Sequence, residues 1–191
     1  MSSRRQWTHF PYEARAAEVL AARKAVDETF ARVTRREDDA DPATMAWLAA
    51  ITRFHAALAA AYPPGFWLAH EALKAGDPSG LEAAIGFLEA DPWFFRSGYL
   101  KAELIKLSTR LPLTQKQAER LRAVVLDIVD RRDGQEFRSY CRLARKVDSA
   151  ELRAALALRL ADESADIRRR ARWVLEAVAA GQCCPSHPAA C

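Results

Sequence analysis

Glycine and proline are scarce, 7 and 9 in 191 residues, and alternating β-branched runs are almost absent, so strands are not expected. Long hydrophobic runs are lacking too. The most apolar stretch, Met45 to His70, is broken by Arg53, His55 and Pro63-Pro64, well short of the ~20 residues a membrane span needs. No apolar segment follows the charged start Met1 to Trp7, so no secretory signal is expected. Cysteine is limited to Cys141 inside a helical pattern and to Cys183, Cys184 and Cys191 near the end, which is no disulfide framework and suits a reducing compartment, the cytoplasm. The motifs of chemistry are missing as well. Gly76-Asp-Pro-Ser-Gly80 reads as a turn and cap rather than a phosphate loop, His70-Glu71 lacks the second histidine of a zincin helix, and no serine or cysteine has a recognisable base. No catalytic residue, cofactor or metal is therefore expected. Lysine is also rare, 6 against 23 arginines, which with the abundant alanine suggests a GC-rich, bacterial genome.

What is present is alanine, leucine and charge. Half the residues are apolar and 28% are charged, the balance of a chain that folds. A chain this long can bury about 70% of its unfolded surface in one core. The spacing predicts a first helix over 12–35, with Val19, Ala22, Val26, Phe30 and Val33 on one face. Asp41-Pro42, an N-cap followed by an N1 proline, opens a second helix to about residue 62, apolar on more than one side and expected to be buried. Further helices are expected at 66–75, 79–90, 93–110 (capped by Asp91-Pro92), 115–131 (the capping box Thr114-x-x-Gln117), 135–147, 149–161 and 165–180. That makes about nine helices in an all-α domain, 1–181, in which 1–76 supply capping helices and 77–181 form helical hairpins. Residues 182–191 are expected to be a flexible tail.

The net charge of +4 hides an asymmetry. Residues 1–36 carry 8 basic and 4 acidic groups, 37–91 carry 2 and 9, and 92–191 carry 19 and 12. Such a field steers an acidic partner toward the C-terminal half.

Three segments share a pattern in that half: Phe95-Arg96 with Tyr99, Phe137-Arg138 with Cys141, and Ile167-Arg168 with Ala171, at spacings of 42 and 30 residues. Each is expected to open the second helix of a hairpin. The third, Asp166-Ile167-Arg168-x-x-Ala171-x-x-x-Leu175, resembles the second-helix signature of HEAT repeats. That resemblance implies a right-handed stack of antiparallel hairpins, an α-solenoid whose second helices line a concave face and whose usual activity is binding. Two departures accompany it: aromatic residues stand where small ones are usual, and the period is irregular.

Arg96, Arg138 and Arg168 sit at equivalent positions bordering the packed face. They are expected to form a structural ladder with Asp91, Asp133 and Asp162 or with backbone carbonyls. Arg142, Arg145 and Lys146, with Arg169 and Arg172 of the last helix, point away from the apolar stripe Ile167, Ala171, Val174 and Val178 and form a candidate basic patch. Of the cluster Trp93, Phe94, Phe95 and Tyr99, Phe95 and Tyr99 are expected to pack on the inner stripe, and His55 to be a core or boundary histidine. Cys183, Cys184, His187 and Cys191 have zinc-type side chains, but their crowding suits a frayed tail better than a tetrahedral site. The sequence thus predicts a non-catalytic interaction module that binds an acidic protein surface through a basic concave face. Nucleic-acid binding, or base processing by a protein built like the HEAT-like DNA-alkylation-repair glycosylases, is the alternative, although no active-site residue of those enzymes is matched.

Overall fold

The computed structural model describes residues 7–34, 41–134 and 136–182. Among them are nine α-helices of at least nine residues and no strand. In chain order these are α1 (Tyr12–Phe30), α2 (Pro42–Ala60), α3 (Phe66–Lys74), α4 (Leu81–Ala90), α5 (Ser97–Ser108), α6 (Gln115–Arg131), α7 (Phe137–Lys146), α8 (Ala150–Arg159) and α9 (Ala165–Gln182), with a 3-10 turn at Pro78–Gly80. No helix among the described residues is long and apolar enough to cross a membrane. The expected tail lies almost wholly outside the described residues.

Local chemistry accounts for most boundaries. The Asp41 side chain accepts from the Thr44 N–H at 3.0 Å, and Pro42 follows in the first turn, where its missing N–H is no loss. Both halves of the Thr114–Gln117 capping box form, starting α6. Ser149 caps α8 by accepting from the Leu152 N–H.

Two boundaries depart from expectation: the first helix, expected to reach 35, ends at Phe30 with 31–34 in a turn, and the fifth starts late. Asp91 does not cap a helix at 93; it lies in the left-handed region (φ 42°) at the end of α4, Arg96 is left-handed as well (φ 64°), and α5 starts only at Ser97. The unwound turn lets Phe94 bury against Tyr62 and Phe87, and swings the Asp91 carboxylate inward onto Lys101 and Arg132. These long-range gains outweigh the local preference of Asp-Pro for a helix start.

The helices pack in a regular order. α4 meets α6 and α6 meets α8, while α5 meets α7 and α7 meets α9; the pairs α4–α5, α6–α7 and α8–α9 also pack together. α3 rests on α4 and α5. α4 is enclosed, with Leu81 and every residue from Ala83 to Leu88 buried. The buried apolar cluster continues from Trp7 to Val178 without a break in kind.

The expectation that α2 is buried fails. Among the described helices α2 packs closely on α1 only, which itself leans on α4, and Met45 and Leu48 are 59% and 43% exposed. Close approach is instead tightest at Gly80, where a Cβ would stand 2.2 Å from the Ala69 carbonyl oxygen and 2.7 Å from Leu73 Cγ. Gly80→Ala is expected to destabilise by about 2–3 kcal/mol, lowering the melting temperature by roughly 5–10 °C in a thermal scan.

Candidate interaction face

α5, α7 and α9 lie side by side, and their buried stripes fix which residues face outward. In α7, Phe137, Tyr140, Leu143 and Ala144 turn inward, leaving Arg138, Arg142 and Arg145 one turn apart on the outer side. In α9, Ala171, Val174 and Val178 are buried, and Arg169, Arg172 and Trp173 are exposed.

The predicted patch residues are not equivalent. Arg142, Arg145, Lys146 and Arg172 are exposed and make no hydrogen bond or ion pair with any described residue. Arg169 is already engaged: it bonds Asp133 at 3.0 Å and Asp166 at 2.8 Å, and its guanidinium lies 5.3 Å from the Trp173 ring centre. The Arg169 contact holds the Asp133 carboxyl below its usual range.

The three arginines expected to form a ladder also differ. Arg168 donates to the carbonyls of Asp162 and Glu163 at 2.6 and 2.8 Å, closing the turn before α9. Arg138 is exposed and has no such bond, and Arg96 is exposed with its guanidinium over Phe95 at 5.7 Å. Asp91 and Asp133, the anticipated partners, are taken by Lys101 with Arg132 and by Arg169. Arg168→Ala is therefore expected to lower the melting temperature by a few degrees, as loss of two charge-assisted bonds should, while Arg138→Ala leaves it unchanged.

Other cations tie the hairpins together. Arg120 of α6 forks onto Glu89 and reaches Glu82 of α4; Arg159 of α8 bonds Asp130 of α6; Arg170, buried in α9, donates to the Val129 carbonyl at 2.6 Å. Deeper still, Lys101 is fully buried, and the Asp91 carboxylate accepts from it and from Arg132, which also bonds Glu136 at 3.1 Å. Burial pushes the Lys101 amine down, and Asp91 beside it pulls it back up. Sequence reading missed these cations. Only Arg170 left a signal, since it falls three residues after Ile167 and four before Val174, on the apolar stripe itself.

The aromatic cluster is the main correction. Phe94 is buried, but Trp93, Phe95 and Tyr99 are 55%, 42% and 70% exposed. A helical register carried through 93–96 turned Phe95 and Tyr99 inward; with α5 starting at Ser97, the inner stripe is Leu100, Lys101, Leu104 and Ile105. The exposed rings line concavities instead. A groove of about 1140 Å³ between α2, α3 and α5 is walled by Leu58, Tyr62, Trp67, Phe95 and Tyr99, with His55, Arg96 and Glu103 on its edges. His55 is thus exposed, and the buried histidine is His70, whose Nε2 lies 3.4 Å from Glu103.

Two smaller hollows continue the line. One of about 390 Å³ shares Arg96 and Tyr99 with the groove and reaches Trp93 and Glu136. The next, about 580 Å³, begins at the adjoining Phe137 and holds Arg138, Cys141 and Trp173. Burial pushes the Cys141 thiol up, away from the thiolate a nucleophile needs. No group of three metal-ligating side chains occurs among the described residues; Cys183, Cys184, His187 and Cys191 lie outside them. What these hollows offer is ring surface, guanidinium groups and three carboxylates, Glu103, Glu136 and Asp133. No family model matches the chain, and no curated protein or solved structure matches it either.

Proposed function

We propose that this chain is a HEAT-like, right-handed stack of antiparallel helical hairpins that acts as a non-catalytic binding module for a protein with an acidic surface. The packing order, α4–α6–α8 on one side and α5–α7–α9 on the other, supports the hairpin stack. One observation carries the function. Most arginines elsewhere in the hairpins are matched to carboxylates or carbonyls, the scattered Arg96 and Arg110 excepted, whereas Arg138, Arg142, Arg145, Lys146 and Arg172 gather on adjacent helices with no partner among the described residues. Like charges held together repel, so a cluster left unmatched on the surface is best neutralised by something acidic that arrives from outside.

A nucleic-acid strand is the second reading, favoured by the exposed rings of Trp93, Tyr99 and Trp173 beside free guanidinium groups, an arrangement that stacks bases. Affinity purification of the tagged protein with and without nuclease, followed by mass spectrometry, separates the two. A partner that survives nuclease and moderate salt is the expected result. Partners that vanish with nuclease, and binding that falls steeply with salt on unrelated duplexes, would favour nucleic acid.

A further inference from the structure

We propose that the aromatic groove between α2, α3 and α5 holds the apolar anchor of that same acidic partner. The partner is then a short segment in which one or two large apolar side chains adjoin a run of acidic residues. The inference rests on the basic-face reading and adds a second, chemically different contact to it.

The groove is apolar in the middle and already built. Tyr62 stacks with Phe66 at 5.1 Å and packs on Trp67 at 4.7 Å; Phe95 stands against Phe54 at 5.8 Å, with the Arg23 guanidinium 5.6 Å from its ring centre. Rings fixed this way lose little freedom when a ligand arrives. Trp67 and Tyr99 nevertheless leave 50% and 70% of their surface to solvent. Large rings in a concave, pre-formed site are what anchor side chains dock onto.

Charge sets the direction of the segment. At one edge of the groove stands Arg96, which has no ion pair among the described residues and which also borders a hollow whose one carboxylate, Glu136, is already held by Arg132, with Phe137 and Arg138 of α7 next along the chain. At the other stands Glu103, beside His70. Acidic side chains are therefore drawn toward Arg96 and α7 and repelled at Glu103, which leaves the apolar part of the segment for the groove.

The same asymmetry disfavours a nucleic-acid strand here. Apart from His55, Arg96 and Glu103 the groove is lined by apolar and aromatic side chains. A phosphate backbone entering it would leave Arg96 behind and meet rings and the Glu103 carboxylate.

The test is selection from a random 16-residue peptide library displayed on phage, followed by anisotropy on the synthesised winners, with a 16-nucleotide thymidine strand measured alongside. The expected winners join large apolar residues to a run of Asp and Glu. Replacing their apolar residues with Ala weakens binding at least tenfold, and Tyr99→Glu does the same, while Arg142→Glu with Arg172→Glu weakens the anchored peptide and its Ala version alike. Tyr99 is exposed enough for that change to leave the melting temperature alone; Trp67→Ala is the second groove variant. Winners that are acidic without anchors, or anchored winners indifferent to both groove variants, overturn the groove and leave the basic face standing. Apolar winners without acids overturn the acidic run and with it the basic face. No enrichment at all, or tighter binding of the thymidine strand than of any peptide, overturns both.

Discussion

Asp91→Ala is expected to be the most destabilising single change in the chain, lowering stability by about 3–5 kcal/mol and the melting temperature by roughly 10–15 °C. Asp91 is the shared acceptor of two cations from different helices, Lys101 of α5 and Arg132 just beyond α6. Arg132 keeps Glu136 and can lean on Trp93, 4.3 Å from the ring centre, when Asp91 is lost. Lys101 keeps no hydrogen-bonded carboxylate, only the Trp93 ring 5.8 Å away and the electrostatic pull of Glu136. It is fully buried, so an ammonium stripped of its counter-ion must either stay charged without solvent or give up its proton.

Lys101→Met should be far milder, within about 2 kcal/mol, because it removes the buried charge and leaves Asp91 with Arg132. Combining the two should recover much of the loss, a coupling that a double-mutant cycle measures directly. The pH dependence has a definite sign. Burial holds the folded-state pKa of Lys101 below its ordinary 10.5, so the unfolded chain binds the extra proton and stability rises with pH across that interval. Asp91→Ala enlarges the depression, so the gap to wild type should narrow from neutral pH toward about pH 10. A gap that widens instead would place the loss somewhere other than the Lys101 amine.

Legibility in the sequence followed the range of the interactions. Asp41-Pro42, Thr114 with Gln117 and the stripe Ile167, Ala171, Val174 and Val178 act within a few residues, and the helices they define lie where expected. The turn at 93–96 could not be read this way, because what unwinds it is Asp91 reaching Arg132, 41 residues on, and Phe94 reaching Tyr62. From that one turn the facing of Phe95 and Tyr99 was misread, and with it the groove, whose walls come from three helices spread along the chain. The outward direction of Arg142 and Arg172 needed only the helical period. That Arg169 is held by Asp133, 36 residues away, needed the fold. The overpopulation of arginine likewise concealed two jobs under one residue type, ties between hairpins and free surface charge, and only burial and partners separate them.

Reversing Arg142 and Arg172 to Glu together is expected to weaken partner binding tenfold or more, with circular dichroism and melting temperature nearly unchanged. Both side chains are exposed and bonded to no described residue, so the folded state loses no contact when they go. The effect on binding is amplified by position. On α7 a carboxylate at 142 stands one turn from both Arg138 and Arg145 and can pair with either, so one reversal removes one cation and blunts a second. Each guanidinium that would have forked onto a partner carboxylate at the centre of the contact contributes on the order of 1–3 kcal/mol, and those at the rim much less. Arg169→Ala makes the internal comparison. Its charge is already answered by Asp133 and Asp166, so its loss should weaken binding less than the loss of Arg172, its neighbour one turn along α9. Full affinity in the double reversal would mean that the cluster is solvated surface and nothing more. A drop in melting temperature would instead mean that α7 and α9 face one another differently from the packing described, and the two measurements together leave no outcome without a reading.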